Sequence, residues 1–258
     1  MPGGISISGS ASGVETKMIG TLVKVSSIGL GKIAVSSLSG GVSGTVDLSG
    51  RTVGSYDLAP GAALYEWAGS GYVTEISLSD LSWTDIVSAS SVSYAHLNSA
   101  GQVDLLLLND VTGNCYTYGL ASTGKTSTGS FSVSLSTVEV ENSKGSTGTL
   151  TGGSGVRSGT FIGVAATATG TVVNTVSLAS KHVSREDFDG TEYVRINGVA
   201  WRISGDVQVY NAASETWFSD SDSLGSALEQ ALAYSDEITV YYDRTAATGG
   251  MVRVIVVA

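Results

Sequence analysis

The sequence predicts a mainly β protein made of two tandem related modules, each an antiparallel barrel or sandwich with one short covering helix. Three observations carry that expectation: an internal repeat, apolar residues alternating with polar ones, and turns punctuated by glycine rather than proline. The repeat is visible as matching phrases. Thr45-Val-Asp-Leu-Ser-Gly50, Leu64-Tyr65, Ser90-Ser-Val-Ser-Tyr94 and Gly101-Gln-Val-Asp-Leu-Leu-Leu107 come first. Roughly 145 to 149 positions later stand Tyr193-Val-Arg-Ile-Asn-Gly198, Val209-Tyr210, Asp236-Glu-Ile-Thr-Val240 and Gly250-Met-Val-Arg-Val-Ile-Val256. A repeat of this period marks a duplicated supersecondary unit. With 258 residues each copy can bury its own core, so the modules are placed at 1–120 and 121–258. The chain holds 34 glycines and 2 prolines, so its turns must use positive φ rather than proline's fixed φ.

Taken in order, Gly3–Gly13 reads as a frayed end or a weak strand. Thr21–Ser26 and Lys32–Ser36 read as strands joined through Ile28-Gly-Leu-Gly31, and 160–165 with 171–177 take the equivalent place before the second copy. In each copy two short strands then flank a glycine, Gly50 or Gly198, with the period-two alternation of a sheet that has one buried face. A strand ending in Tyr65 or Tyr210 follows, trailed by Trp67 or Trp217. There the period changes: Leu224, Ala227, Leu228, Ala231 and Leu232 form one apolar helical stripe, and Asp220–Ser223 supply oxygens to cap it. At this place Ser79–Val87 of the first copy allows only two turns. Each copy closes on a hairpin, Val92–Tyr94 with Val103–Leu108 and Ile238–Tyr242 with Met251–Val257, and the second hairpin has the longer loop, Asp243–Gly250. Between the copies, Asn114–Leu120, Ser130–Leu135 and Val138–Val140 read as further strands. Lys144–Gly159, rich in Gly, Ser and Thr, reads as a long loop inside the second module.

Charged residues are only 14% of the chain, against about 25% in an average domain, so disorder through charge excess is excluded. A net charge of −10 with 13 scattered basic residues repels a phosphate backbone, so no nucleic-acid partner is expected. The longest apolar runs, Leu105–Leu108 and Val254–Ala258, fall far short of the ~20 residues that cross a bilayer, so no membrane insertion is expected. The single cysteine, Cys115, excludes an internal disulfide and reads as a buried strand residue beside Tyr116 and Tyr118. Met1-Pro-Gly-Gly opens without a basic and then apolar segment, so no signal peptide is read in this chain.

Few residues invite chemistry. His96 and His182 have no cysteine or acid at metal-ligand spacing, and both read as structural or surface groups. The Gly-x-Gly pairs do not open helices and so read as turns rather than phosphate loops. The acidic turn Arg185–Glu192 offers Asp187, Asp189 and Glu192 as a calcium candidate, because oxygen ligands at alternate positions beside a glycine suit Ca²⁺. It lacks the fifth- and twelfth-position ligands of a calcium loop, and a solvated turn is the competing reading. Trp67 and Trp217 are the ligand-binding candidates: exposed, they would be platforms for a polysaccharide, while packed between helix and sheet they would be core. No cofactor and no catalytic residue is assigned, because no clustered acid and base is visible in the sequence.

The phrases Asn109–Gly119, Asp206-Val-Gln-Val-Tyr210, Ile238–Asp243 and Gly250–Val257 resemble the repeated β modules of large Gram-positive, mainly clostridial, cell-surface proteins, which often accompany S-layer homology domains. The resemblance covers about 45–120 and 160–258 and implies an extracellular location at the cell surface or cell wall. It implies a structural or adhesive role and assigns no residue a function. The expectation is therefore a non-enzymatic structural or spacer module of a secreted bacterial surface protein; a carbohydrate-binding or adhesive module is the alternative.

Overall fold

The computed structural model describes residues 41–69, 71–128, 133–167, 169–218, 224–234 and 236–258, with the backbones of strands Met18–Ile19, Val23–Gly29 and Lys32–Val35. The expected strand in Gly3–Gly13 and the expected cap at Asp220–Ser223 lie outside the described residues. The chain is mainly β, with one α-helix, Leu224–Tyr234, among the described residues. It divides into two compact units: one takes the chain through Cys115 together with Ala165–Val173, the other Tyr116–Val164 with Asn174–Ala258.

In the first unit a ten-stranded sheet is organised around the long strand Tyr56–Trp67. That strand pairs antiparallel with Thr52–Val53 and Gly71–Ile76, and in parallel with Val103–Asn109. Val103–Asn109 in turn pairs antiparallel with Val92–Leu97 to form the closing hairpin. Val46, Val53, Leu58, Leu64, Ile76, Leu81, Val103, Leu106 and Leu108 form one buried cluster. All but Leu81, which comes from a 3-10 turn, are strand residues turned to one side, each contributing on the order of 1.5–3 kcal/mol on burial.

The second unit holds two sheets. A six-stranded sheet contains Thr117–Thr128, Val133–Asn142 and Phe161–Ala166. A seven-stranded sheet centres on the long strand Val199–Asn211, paired in parallel with Met251–Val257 and antiparallel with Tyr193–Ile196 and Thr216–Trp217. The helical stripe delivers Ala227, Leu228 and Ala231 into a core with Val209, Val240 and Ile255.

The two copies share a detail that hydrophobic patterning does not reveal. In the first, Leu58 faces Val103 and Ala63 faces Leu105; in the second, Ile203 faces Val252 and Gln208 faces Val254. The long strand thus spends residues 59–62 or 204–207 where the closing strand spends one, Asp104 or Arg253. Both copies hold the same bulged excursion, at offsets of 145 on the long strand and 149 on the closing strand. Pro60 and Gly61, the latter at φ +76°, sit in the first excursion, where a residue without an N–H and one tolerant of positive φ are both accommodated.

Several expectations need correction. The pairing of long and closing strands is parallel, so neither copy is wholly antiparallel; a hairpin cannot reveal on which neighbour its outer strand lies. Gly50 and Gly198 are not equivalent. The two-residue turn Asn197-Gly198, with φ of +53° and +80°, joins Ile196 to Val199, and its counterpart is Gly54-Ser55 between Val53 and Tyr56. Gly50 sits one turn earlier, where its N–H donates to Asp47 Oδ1 at 2.7 Å. Phe161–Ala166 and Val172–Ser177 belong to the six-stranded sheet, unlike Val23–Gly29 and Lys32–Val35, which join the long-strand sheet through Gly71–Ile76. The two turns expected near Ser79–Val87 are a 3-10 turn, Leu78–Leu81. The 144–159 loop contains two short strands, Gly145–Ser146 and Leu150–Thr151, both on Val133–Asn142. The closing loops are 98–102 and 243–250, the second the longer as expected.

Candidate functional site

The most unusual chemistry lies at the end of the first long strand. Glu66 shares the parity of Leu64, turns inward and is fully buried. Beyond Asn109 the chain bends through Asp110 at φ +49° and Gly113 at φ +76°, which aims successive amides at the Glu66 carboxylate. The N–H groups of Thr112 and Gly113 donate to it at 2.9 and 2.8 Å, the Thr112 hydroxyl donates to Oε2, and the Cys115 thiol donates to Oε1 at 3.5 Å. Burial pushes the Glu66 carboxyl above its usual range, the Thr112 and Gly113 hydrogen bonds pull against that rise, and the charge of Asp110 adds to it.

Ligand atoms of Glu66, Asp110 and Cys115 lie within 4.8 Å of one another, the one such group of three among the described residues. The donor set does not suit a cation. Both Glu66 oxygens face N–H, O–H or S–H hydrogens, and a metal ion entering there would meet positive charge. The arrangement is a carboxylate latch that fastens the 110–115 loop to the long strand. Cys115, expected on a strand, lies in this loop.

The second unit buries a different polar group. Arg253, the residue of the closing strand opposite the bulged excursion, is 2% exposed and donates from Nε to Asp243 Oδ2 at 2.8 Å. Its Nη1 donates to Ser204 at 3.0 Å, and its guanidinium lies 4.9 Å from the Tyr118 ring centre. Asp243 also accepts from Tyr118 Oη at 3.2 Å and from the Met251 N–H at 2.9 Å. The pair is buried but well supplied with partners, the condition under which a buried ion pair persists. At the equivalent point of the first copy, Asp104 meets His96 Nδ1 at 2.6 Å. The two copies therefore place an ionisable side chain, Asp104 or Arg253, at the same bulge and give each a close side-chain partner. His182 contacts Thr239 Oγ1 at 3.0 Å.

The two tryptophan candidates separate. Trp67 lies on the long strand beside Asn109, and its Nε1–H donates to Ser93 Oγ at 2.8 Å. Trp217 lies on a neighbouring strand directly opposite Tyr210. The residue opposite Tyr65 is Glu75, whose charge, second to burial, raises the Tyr65 hydroxyl to about 12. Trp67 and Trp217 are therefore not equivalent. Trp217 joins a half-buried cluster: its ring centre is 4.9 Å from Tyr210 and 6.0 Å from Phe161, which also meets Tyr241 at 4.8 Å.

Asp187, Asp189 and Glu192 do not converge into a ligand set. The Asp187 carboxylate accepts from the Ser184 N–H at 2.8 Å and hydroxyl at 2.9 Å, closing a capping box around the 3-10 turn Arg185–Asp187. Those bonds, with Arg195 nearby, hold it below the usual carboxylate range. Asp189 and Glu192 are exposed. Sequence reasoning missed Glu66, Asp243 and Arg253. The available signal was parity and context: Glu66 shares the buried parity of Leu64, and Arg253 interrupts an otherwise apolar closing strand.

No protein-family model matches the chain, and neither a curated protein nor a solved structure matches it.

Proposed function

We propose that this chain is a non-enzymatic structural or spacer segment of an extracellular bacterial surface protein, formed of two tandem β modules that resist being pulled apart. The observation that carries the reading is the parallel pairing of long and closing strands, present in both copies with the same excursion. Ladder hydrogen bonds run across the strands, so a pull along two parallel neighbours from opposite ends loads all the rungs together instead of opening them one by one. The closing strand is also held on both sides, in the second copy by Val199–Asn211 and by Ile238–Tyr242. The buried polar groups support the same role: Glu66 and the Arg253–Asp243 pair fix the loops that border the closing strands. The resemblance to clostridial surface modules supports the location. Stretching single chains between their termini tests the reading. Two discrete rupture events, one per copy, are expected; smooth extension without a rupture event refutes it.

A further inference from the structure

A pocket of about 260 Å³ opens in the second unit where the 153–160 loop passes the start of strand Phe161–Ala166 and the end of strand Val172–Ser177. We propose that it binds a saccharide unit carrying a carboxylate, a function that goes beyond the structural role above and does not depend on it. Three kinds of group line the pocket, and each asks for a different part of such a ligand. Phe161 and Ile162 give it an apolar wall. Phe161 packs against Tyr210, Trp217 and Tyr241 at 4.8 to 6.0 Å between ring centres, contacts that restrict its ring. A rigid ring presents contact area to the C–H face of a sugar at low entropic cost. Thr175 and Ser177 lie at alternate positions of one strand, both exposed, and their hydroxyls can each donate and accept, as ring hydroxyls require.

Arg157 is the lining residue that sets the charge. It is exposed and makes no ion pair among the described residues, in a chain whose net charge is −10. A guanidinium takes a carboxylate in two parallel hydrogen bonds, which fixes orientation as well as adding attraction. A neutral sugar leaves this group unused, and a small free anion leaves the Phe161 wall unused. The combination of cation, hydroxyls and aromatic wall fits a uronic-acid type of ring, and the volume suits one residue of a chain whose neighbours project outwards.

The test is calorimetric titration of the full chain with a short oligogalacturonate, the matching neutral galacto-oligosaccharide, and acetate. Saturable binding of the acidic oligosaccharide alone is expected, weakening as salt rises. Arg157→Gln should lower its affinity about tenfold or more, and Thr175→Val should lower it less. Phe161→Leu should also weaken binding, and an unchanged melting temperature for Arg157→Gln separates lost recognition from lost folding. Equal affinity for the neutral oligosaccharide, equal affinity for acetate, no heat from the acidic one, or undiminished binding by Arg157→Gln each overturns the proposal.

Discussion

Replacing Glu66 tests whether the latch does what its geometry implies. Glu66→Ala strips the acceptor from the Thr112 and Gly113 N–H groups, and leaves the Thr112 hydroxyl and Cys115 thiol without their carboxylate contact. Each buried N–H deprived of a partner costs about 1–3 kcal/mol, so the two amides alone predict a loss of about 2–6 kcal/mol, a large share of a domain's stability. Glu66→Gln keeps one oxygen but turns an NH₂ towards a donor, so its loss at neutral pH should be about 1–3 kcal/mol. The pH dependence follows from the raised carboxyl. Stability linked to Glu66 is fully present below the ordinary carboxyl value and is lost as pH rises through the higher folded value. Glu66→Gln does not titrate, so the gap between wild type and this variant should narrow from pH 4 to pH 8. Urea unfolding followed by tryptophan fluorescence measures all three proteins. An alanine variant within about 0.5 kcal/mol of wild type, the range of an ordinary surface change, or a gap that widens with pH, refutes the reasoning.

The Arg253–Asp243 pair should behave as a buried ion pair whose halves cannot be removed singly. Arg253→Ala should cost about 3–5 kcal/mol in chemical denaturation, whereas the double change Arg253→Met with Asp243→Asn should recover much of that loss. Cys115 is 2% exposed and donates to Glu66, so a thiol reagent should label it only as the first unit opens, and Glu66→Ala should hasten labelling. Ca²⁺ should leave the melting temperature unchanged, because the Asp187 carboxylate is engaged by Ser184. The lowered Asp187 value means that its capping contribution is present above the ordinary carboxylate value and lost as pH falls through the folded one, so Asp187→Asn should matter less in acid.

The fold was largely legible where period and turn chemistry speak. The helical stripe from Leu224 to Leu232 produced the helix Leu224–Tyr234, and the closing hairpins formed where alternating apolar runs flank glycine. The parallel pairing was not legible, because alternation tells which face of a strand is buried and not which strand lies beside it. The equivalence of Gly50 with Gly198 failed for a related reason. Short strands tolerate a slip of one turn in an alignment, and only the register from Val53 to Tyr56 identifies Gly54 as the true counterpart. Of the candidate site residues, Trp217 joins an aromatic cluster, whereas Trp67 is tied to Ser93 and has no counterpart in the second copy. Glu66, Asp243 and Arg253 escaped because their partners, Thr112 with Gly113, Tyr118 and Ser204, come from loops and strands distant in the chain.

Each closing strand should resist tension because it lies parallel to the long strand, and changing the direction of pull on the second copy separates this from simple burial. With Cys115→Ser as background, one protein is held between Val199→Cys, exposed at the start of the long strand, and its C-terminal end, and a second between the same Val199→Cys and Ala246→Cys, in the 243–250 loop at the tip of the closing hairpin. The first geometry loads the Val199–Asn211 and Met251–Val257 ladder in shear; the second peels it from one end. Rupture at clearly higher force through the C-terminal end is the predicted result, and equal forces in the two geometries would show that the parallel ladder does not carry the load.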